Sequence, residues 1–204
     1  MPVLIYDTET TGLYNFKASS NDPSQPHIVQ LAGKLMADDG ERVLGSINFI
    51  INNEVEIPKE ASNVHGITTD TAKIYGVSPR LALYGFAALS TRATRYVAHN
   101  INFDKKIIAT AYARFDMPSP FDYDVADEFC TMNAGSRHTK IPPTQAMVRA
   151  GRGGGYKPPK LIELYKHLFG AGFEGAHDAM VDVDACAKCY FELERLRNAA
   201  NVEI

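Results

Sequence analysis

Tyr6–Leu13 reads YDTETTGL and follows the apolar run Pro2–Ile5. A short apolar run of this kind reads as a buried strand, here Val3–Tyr6. In a strand, residues i and i+2 project from one face, so Asp7 and Glu9 stand side by side if the strand persists to Glu9. Two adjacent carboxylates repel, and each raises the other's pKa unless a cation sits between them. The plainer alternative is that the strand has ended and both acids are solvated turn residues.

Two later elements repeat the pattern. In HNINFDKKIIATAYARF (99–115), Asp104 stands near the start of a helix. Counting i+3, i+4, i+7 and i+11 from it gives Ile107, Ile108, Ala111 and Phe115, so the acid lies on the apolar stripe. A carboxylate there is costly to bury unpaired, although a cap or dipole role would also place one there. In HDAMVDVDACAKCYFELERL (177–196), counting from Asp182 gives Ala185, Cys186, Cys189, Leu193 and Leu196, and His177 precedes the helix by about one turn. Three elements each bring acid to a buried edge without an obvious basic partner. Such a set calls for a hard divalent cation on oxygen ligands, Mg²⁺ or Mn²⁺, and does not suit structural zinc. Asp184 lies about 200° around its helix from Asp182. Asp178 sits at the helix start, where a cap or dipole role suffices.

The remaining sequence reads as one mixed-sheet α/β domain over 1–204. Tyr14–Pro26, rich in Ser, Asn, Asp and Pro, reads as a loop. His27–Ala37 and Leu44–Ile51 read as strands, joined by the turn DDGER in an antiparallel hairpin. PKEASNVHGIT opens a helical region running through Pro79–Ala93. Arg95–Ala98 and Glu128–Met132 read as strands; Ile101–Phe115, Lys160–Phe169 and Asp178–Asn198 read as helices.

The 204 residues, 45% hydrophobic and 22% charged, fit a soluble globular chain. There is no apolar run long enough for a membrane span and no secretory leader pattern. Three cysteines do not suggest a disulfide framework, so a reducing, cytoplasmic setting is expected. Cys186 and Cys189 read as small core residues of one helix. GRGGGYK lacks the Ser or Thr that a phosphate-binding loop carries after its Lys. The net charge of −3 excludes wholesale electrostatic binding of nucleic acid, yet its distribution is uneven. Phe129–Ile162 holds no acid and carries Arg137, Lys140, Arg149, Arg152, Lys157 and Lys160. A basic Gly/Pro-rich loop is expected at about 133–160. It is either a polyanion contact, with Arg149, Arg152 and Lys157 reaching phosphates, or a solvated surface loop.

DTETTGL, HNINFD and HDAMVD together resemble the three motifs of the DnaQ-like 3′→5′ exonucleases, the histidine-bearing branch of the DEDD nucleases. VHGIT at 64–68 also resembles a segment common in that family. The resemblance covers about residues 1–195. It implies a ribonuclease-H-like fold, a mixed five-stranded sheet with helices on both sides. It implies that Asp7, Glu9, Asp104 and Asp182 hold two Mg²⁺ or Mn²⁺ ions, and that His177 is the general base. It further suggests Thr10, Thr11 and Gly12 as a turn holding the terminal sugar, and Leu13 against the terminal base. His65, Asn100 and Phe103 are candidates for substrate contact, each with a packing or strand-ending alternative. The function implied is removal of nucleoside monophosphates from a DNA 3′ end, with single-stranded DNA as partner. The alternatives are a 3′→5′ exoribonuclease and a catalytically silent nucleic-acid-binding subunit. A polymerase contact is not expected, since the sequence stops at NAANVEI, just after the last helix.

Overall fold

The structure, a computed structural model, describes residues 1–123 and 126–202; positions 124–125 and the last two of the expected 1–204 domain lie outside the described residues. β1 (Val3–Thr10) is the middle of a five-stranded sheet of order β3-β2-β1-β4-β5. It pairs antiparallel with β2 (Ile28–Met36), which forms the expected hairpin with β3 (Val43–Ile50). On its other side it pairs in parallel with β4 (Arg95–Ala98), which pairs in parallel with β5 (Asp127–Cys130).

The alternation of β1 builds two cores. Leu4 and Tyr6 pack with Leu83, Phe86, Ile107 and Ile108 on one face. Val3 and Ile5 pack with Val183, Cys186 and Tyr190 on the other. The first face is covered by the helices of residues 79–114, the second by the long C-terminal helix Ala179–Val202. Among the described residues no helix is long and apolar enough to cross a membrane.

The helical region expected from residue 58 onward is broken into α1 (Lys59–His65), α2 (Thr69–Tyr75) and α3 (Pro79–Ser90). Gly66, at φ 75°, ends α1 in the left-handed conformation that glycine adopts without strain. At Gly76 a Cβ would lie 2.3 Å from the Ala72 carbonyl and 2.6 Å from the Asn52 nitrogen, so only glycine lets the chain turn against the Ile51–Val77 bridge. Thr68 and Ser78 restart the helices, each side chain accepting a hydrogen bond from a first-turn N–H. α4 is Ile101–Arg114.

The expected loop at about 133–160 is interrupted by two short helices and is otherwise turns and irregular chain. The strand ends at Cys130, and α5 (Thr131–Thr139) and α6 (Gln145–Arg149) follow before α7 (Leu161–Phe169) and α8 (Ala179–Val202). Gly135 is a packing residue: its Cβ would stand 2.7 Å from Leu164 of α7. Thr144, after two prolines, caps α6 by accepting from the Met147 N–H at 3.2 Å.

Candidate active site

β4 stops at Ala98, and its pairing with β1 ends at Ile5–Val97, whereas β1 continues to Thr10. Beyond that point, among the described residues, β1 has no strand on its β4 side, and the opening is filled from both layers. Asp7 and Glu9 share the parity of Val3 and Ile5 and so face α8. Thr8 faces the α4 layer. Its N–H (3.1 Å) and hydroxyl (2.7 Å) both donate to Oδ1 of Asp104, which is 3% exposed. Thr8 therefore draws the α4 acid to the end of the sheet, between the two acids of the other face.

The fourth acid is placed by the start of α8. Gln30, buried on β2 and opposite Glu9 in register, accepts from the Ala179 N–H at 3.1 Å and donates to Asn48 Oδ1 at 3.0 Å. Asp178 caps the helix, its Oδ1 accepting from the N–H groups of Met180 and Val181. His177 lies one residue earlier at φ 72°, and its N–H donates to Asp182 Oδ2 at 2.9 Å. This turn leaves the imidazole exposed while ligating atoms of Glu9, His177 and Asp182 all lie within 4.8 Å of one another. Asp184 points away and pairs with Lys34. Cys186 and Cys189 are buried, with Cys186 against Thr131 at 3.6 Å.

Burial is the first cause of every shift in this cluster. It drives Asp7 well above the carboxylate range, reinforced by the charges of Asp104, Asp182 and Glu9. Glu9 is pushed up to about 8 by burial and then by Asp182 and Asp104. Asp104 is pushed up to about 7, its two Thr8 hydrogen bonds opposing the burial. Asp182 is raised by burial, against the pull of the His177 N–H. Among the described residues no Lys or Arg makes an ion pair with any of the four. An all-oxygen donor set with unmatched negative charge suits a hard divalent cation.

A cleft of about 680 Å³ is lined by Asp7, Glu9, Asp104, Asp182 and His177, with Leu13, Asn100 and Phe103 on its walls. A smaller hollow of about 340 Å³ adjoins it, lined by Thr10, Thr11, Gly12 and His65 and sharing Glu9, Leu13 and Phe103. In it the Thr10 hydroxyl donates to the Gly12 carbonyl at 2.7 Å, and no atom lies within 4 Å of where a Gly12 Cβ would stand. His65 Nδ1 accepts from the Ile67 N–H at 3.1 Å; burial depresses its pKa, and a backbone hydrogen bond to Thr10 opposes the depression. Asn100 adopts φ 72° with no side-chain cap bond, turning the chain sharply from β4 into α4.

The three basic candidates stay outside the cleft lining. Lys157 is paired with Glu163 at 2.6 Å. Arg149 and Arg152 are exposed and line neither hollow. Pro158, Pro159 and Lys160 form the wall instead. His99 Nε2 donates to the Pro159 carbonyl at 3.0 Å, tying that wall to the end of β4.

A family model described as "Exonuclease" matches residues 4–190, nearly the whole chain. The chain belongs to the exonuclease family. Its fold is similar to that of about two fifths of exonuclease I of E. coli. One such structure, in complex with a dT13 oligonucleotide, superposes with a TM-score of 0.72 at 18% identity, over 97% of this chain and 43% of that one. Another, in complex with a dA16 oligonucleotide, gives 0.72 at 19% identity, over 95% and 41%. The zinc-bound form of an exonuclease I–ssDNA complex gives 0.71 at 19%, over 96% and 40%. The exonuclease-family chain thus spans about two fifths of the length of these structures. No curated protein sequence matches it.

Sequence reasoning passed over Thr8, Gln30 and the Pro158–Lys160 wall. Thr8 carried one legible signal: in an alternating strand it faces the layer that supplies Asp104.

Proposed function

We propose that this exonuclease-family chain is a 3′→5′ exonuclease that releases nucleoside monophosphates from single-stranded DNA with divalent metal ions. The observation that carries the reading is the meeting of Asp7, Glu9 and Asp182 from one face of the sheet with Asp104 from the other, in a cleft with His177 at its rim. The oligonucleotide complexes of exonuclease I, of the same fold, support a single strand as substrate.

Asp7, Glu9, Asp104 and Asp182 would hold two Mg²⁺ or Mn²⁺ ions, which when bound neutralise charge on the attacking and leaving oxygens of an in-line displacement. The His177 imidazole takes the proton of the attacking water. The Thr10–Thr11–Gly12 turn holds the terminal sugar. Leu13 and Phe103 bracket the terminal base, and His65, on the wall of the hollow, packs beside the same nucleotide. Asn100 orients the α4 acid. Arg149 and Arg152 meet only the outer part of a longer strand.

The test uses single-stranded DNA labelled at its 5′ end. With Mg²⁺ the label should remain on strands shortened one nucleotide at a time, with mononucleotides released, and a chelator should stop the reaction. Label released first as a mononucleotide, internal cuts, or indifference to the chelator would each reject the proposal.

A further inference from the structure

Tyr14–Pro26 leaves the cleft as an ordered loop. Gln25, 1% exposed, ties it from within: its side-chain oxygen accepts from the Asn15 N–H at 3.0 Å, and its amide donates to the carbonyls of Asn15 (2.9 Å) and Ser19 (3.0 Å). Arg114 donates to the carbonyls of Gln25 and Pro26. At the neck, the Thr11 N–H donates to the His27 carbonyl and the His27 N–H to Thr11 Oγ1, both at 2.9 Å. Side chains leaving a loop tied at this many points are held in place.

Two of them are apolar and face water. Leu13 is 89% exposed and Phe16 63%. Tyr14, between them in sequence, is buried in the core, and the Phe16 ring meets it edge-on at 5.0 Å. Filling the core needs Tyr14 only; it gives no reason for a phenyl ring fixed outside it. Lys106 Nζ stands 5.8 Å from the Tyr14 ring centroid. Lys106 is nearly one turn along α4 from Phe103, which lines both hollows. A track therefore leads from Leu13 and Phe103 past Lys106 to Phe16 and Lys17. Lys17 and Lys106 are exposed, and among the described residues neither forms an ion pair. An aromatic face flanked by cations is the arrangement that grips single strands, bases stacking while phosphates meet the charge.

We propose that Phe16 is a stacking platform for a base of the strand 5′ to the terminal nucleotide, with Lys17 and Lys106 contacting the flanking phosphates. This rests on the exonuclease reading and extends it from the terminal nucleotide to the strand behind it. Phe16 is a positioning residue for the incoming strand and touches no reacting atom.

The test compares a single-stranded DNA decamer with the p-nitrophenyl ester of thymidine 5′-monophosphate, which reaches the cleft without the track. Phe16→Ala should lower kcat/KM on the decamer by about 5- to 100-fold, mainly through KM, and leave the ester unchanged; Phe16→Trp should restore the decamer. Replacing Lys17 and Lys106 by Gln should reduce the slope of log K against log salt by about 1.4. In the unaltered protein, an abasic nucleotide moved stepwise back from the 3′ end should find one position that reproduces the Phe16→Ala loss. The variant itself should be indifferent to that position. Equal losses on ester and decamer would make the loop a support of the cleft and overturn the platform, as would the lack of any sensitive abasic position. A parent that hydrolyses both substrates beside an unaffected Phe16→Ala would overturn the platform alone. A parent that hydrolyses neither with Mg²⁺ or Mn²⁺ would overturn the exonuclease reading and the platform with it.

Discussion

Thr8 and Asp104 are joined twice across the end of the sheet, the N–H of Thr8 at 3.1 Å and its hydroxyl at 2.7 Å both donating to one carboxylate oxygen. This contact brings an acid from the α4 layer to two acids that face the α8 layer. Thr8→Val keeps the shape and the N–H and deletes the hydroxyl donor. Burial then acts on Asp104 with less opposition, so its pKa rises further above about 7. Partners of metal-binding groups typically contribute about 10- to 100-fold in metal affinity or activity. Thr8→Val should lose activity in that range, with its pH–rate profile displaced to higher pH, and Thr8→Ser should retain both. A Thr8→Val profile superimposable on the parent's would show that the N–H alone holds Asp104.

The four raised carboxylates make the metal-free protein sensitive to pH. Their folded-state values lie above the unfolded ones, so the folded chain binds more protons and stability falls as pH rises. The stability is fully present below the ordinary carboxylate range and is lost through about 7 for Asp104 and about 8 for Glu9. His27, His65 and His99, depressed chiefly by burial, act oppositely, but only as pH falls below the ordinary imidazole value. The clean window is therefore above about pH 6.5. There the Tm in chelator should decline towards about pH 8, and saturating Mg²⁺ should flatten the decline. A Tm that is flat or rising in chelator across this window would mean that burial and crowding do not raise these carboxyls.

Neutralising one acid should separate stability from function. Asp182→Asn keeps an acceptor for the His177 N–H and removes a charge that raises Asp7, Glu9 and Asp104. In metal-free buffer near neutral pH its Tm should exceed the parent's by a few degrees. On adding Mg²⁺ the parent should gain stability by linkage and the variant much less. Thermal scans of both proteins with and without Mg²⁺ decide it; equal Mg²⁺ responses would place the metal elsewhere.

The sequence made the four acids legible because each stands at a fixed position in a periodic element. Strand alternation sets Asp7 beside Glu9, and the 3.6-residue period puts Asp104 and Asp182 on apolar stripes. A mixed α/β sheet followed from the hairpin and the alternation of helix and strand after it, and its five-stranded form was implied by the resemblance that the three motifs carry. What stayed hidden depends on tertiary partners. Thr8 acquires its role only because β4 stops at Ala98 and frees its N–H. Gly135 resembles a helix breaker until Leu164 is seen packed where its Cβ would be. Lys157 counted towards a basic stretch, but its charge is matched by Glu163 across the start of α7. A run of charges shows where charge lies along the chain, not which groups it meets.

His177 is the proposed proton acceptor, and its backbone dictates how that role is tested. At φ 72° an alanine would strain the turn that sends the N–H to Asp182, mixing a structural loss with a chemical one. Asn tolerates this conformation and Gly adopts it freely, so His177→Asn and His177→Gly remove the imidazole and keep the turn. General bases contribute about 10²- to 10⁴-fold in rate. Both variants should lose kcat by about that factor, with KM for single-stranded DNA and the Mg²⁺-induced rise in Tm near the parent's. If the imidazole is the base, the parent's pH–rate profile should carry an acid limb that is missing from both variants. Added imidazole should recover part of the rate in His177→Gly, where the missing ring leaves room at an exposed position. A collapse of the Mg²⁺ response instead would make His177 a ligand beside Glu9 and Asp182, whose ligating atoms lie within 4.8 Å of its own. Unchanged kcat would reduce it to the residue that turns the chain into α8.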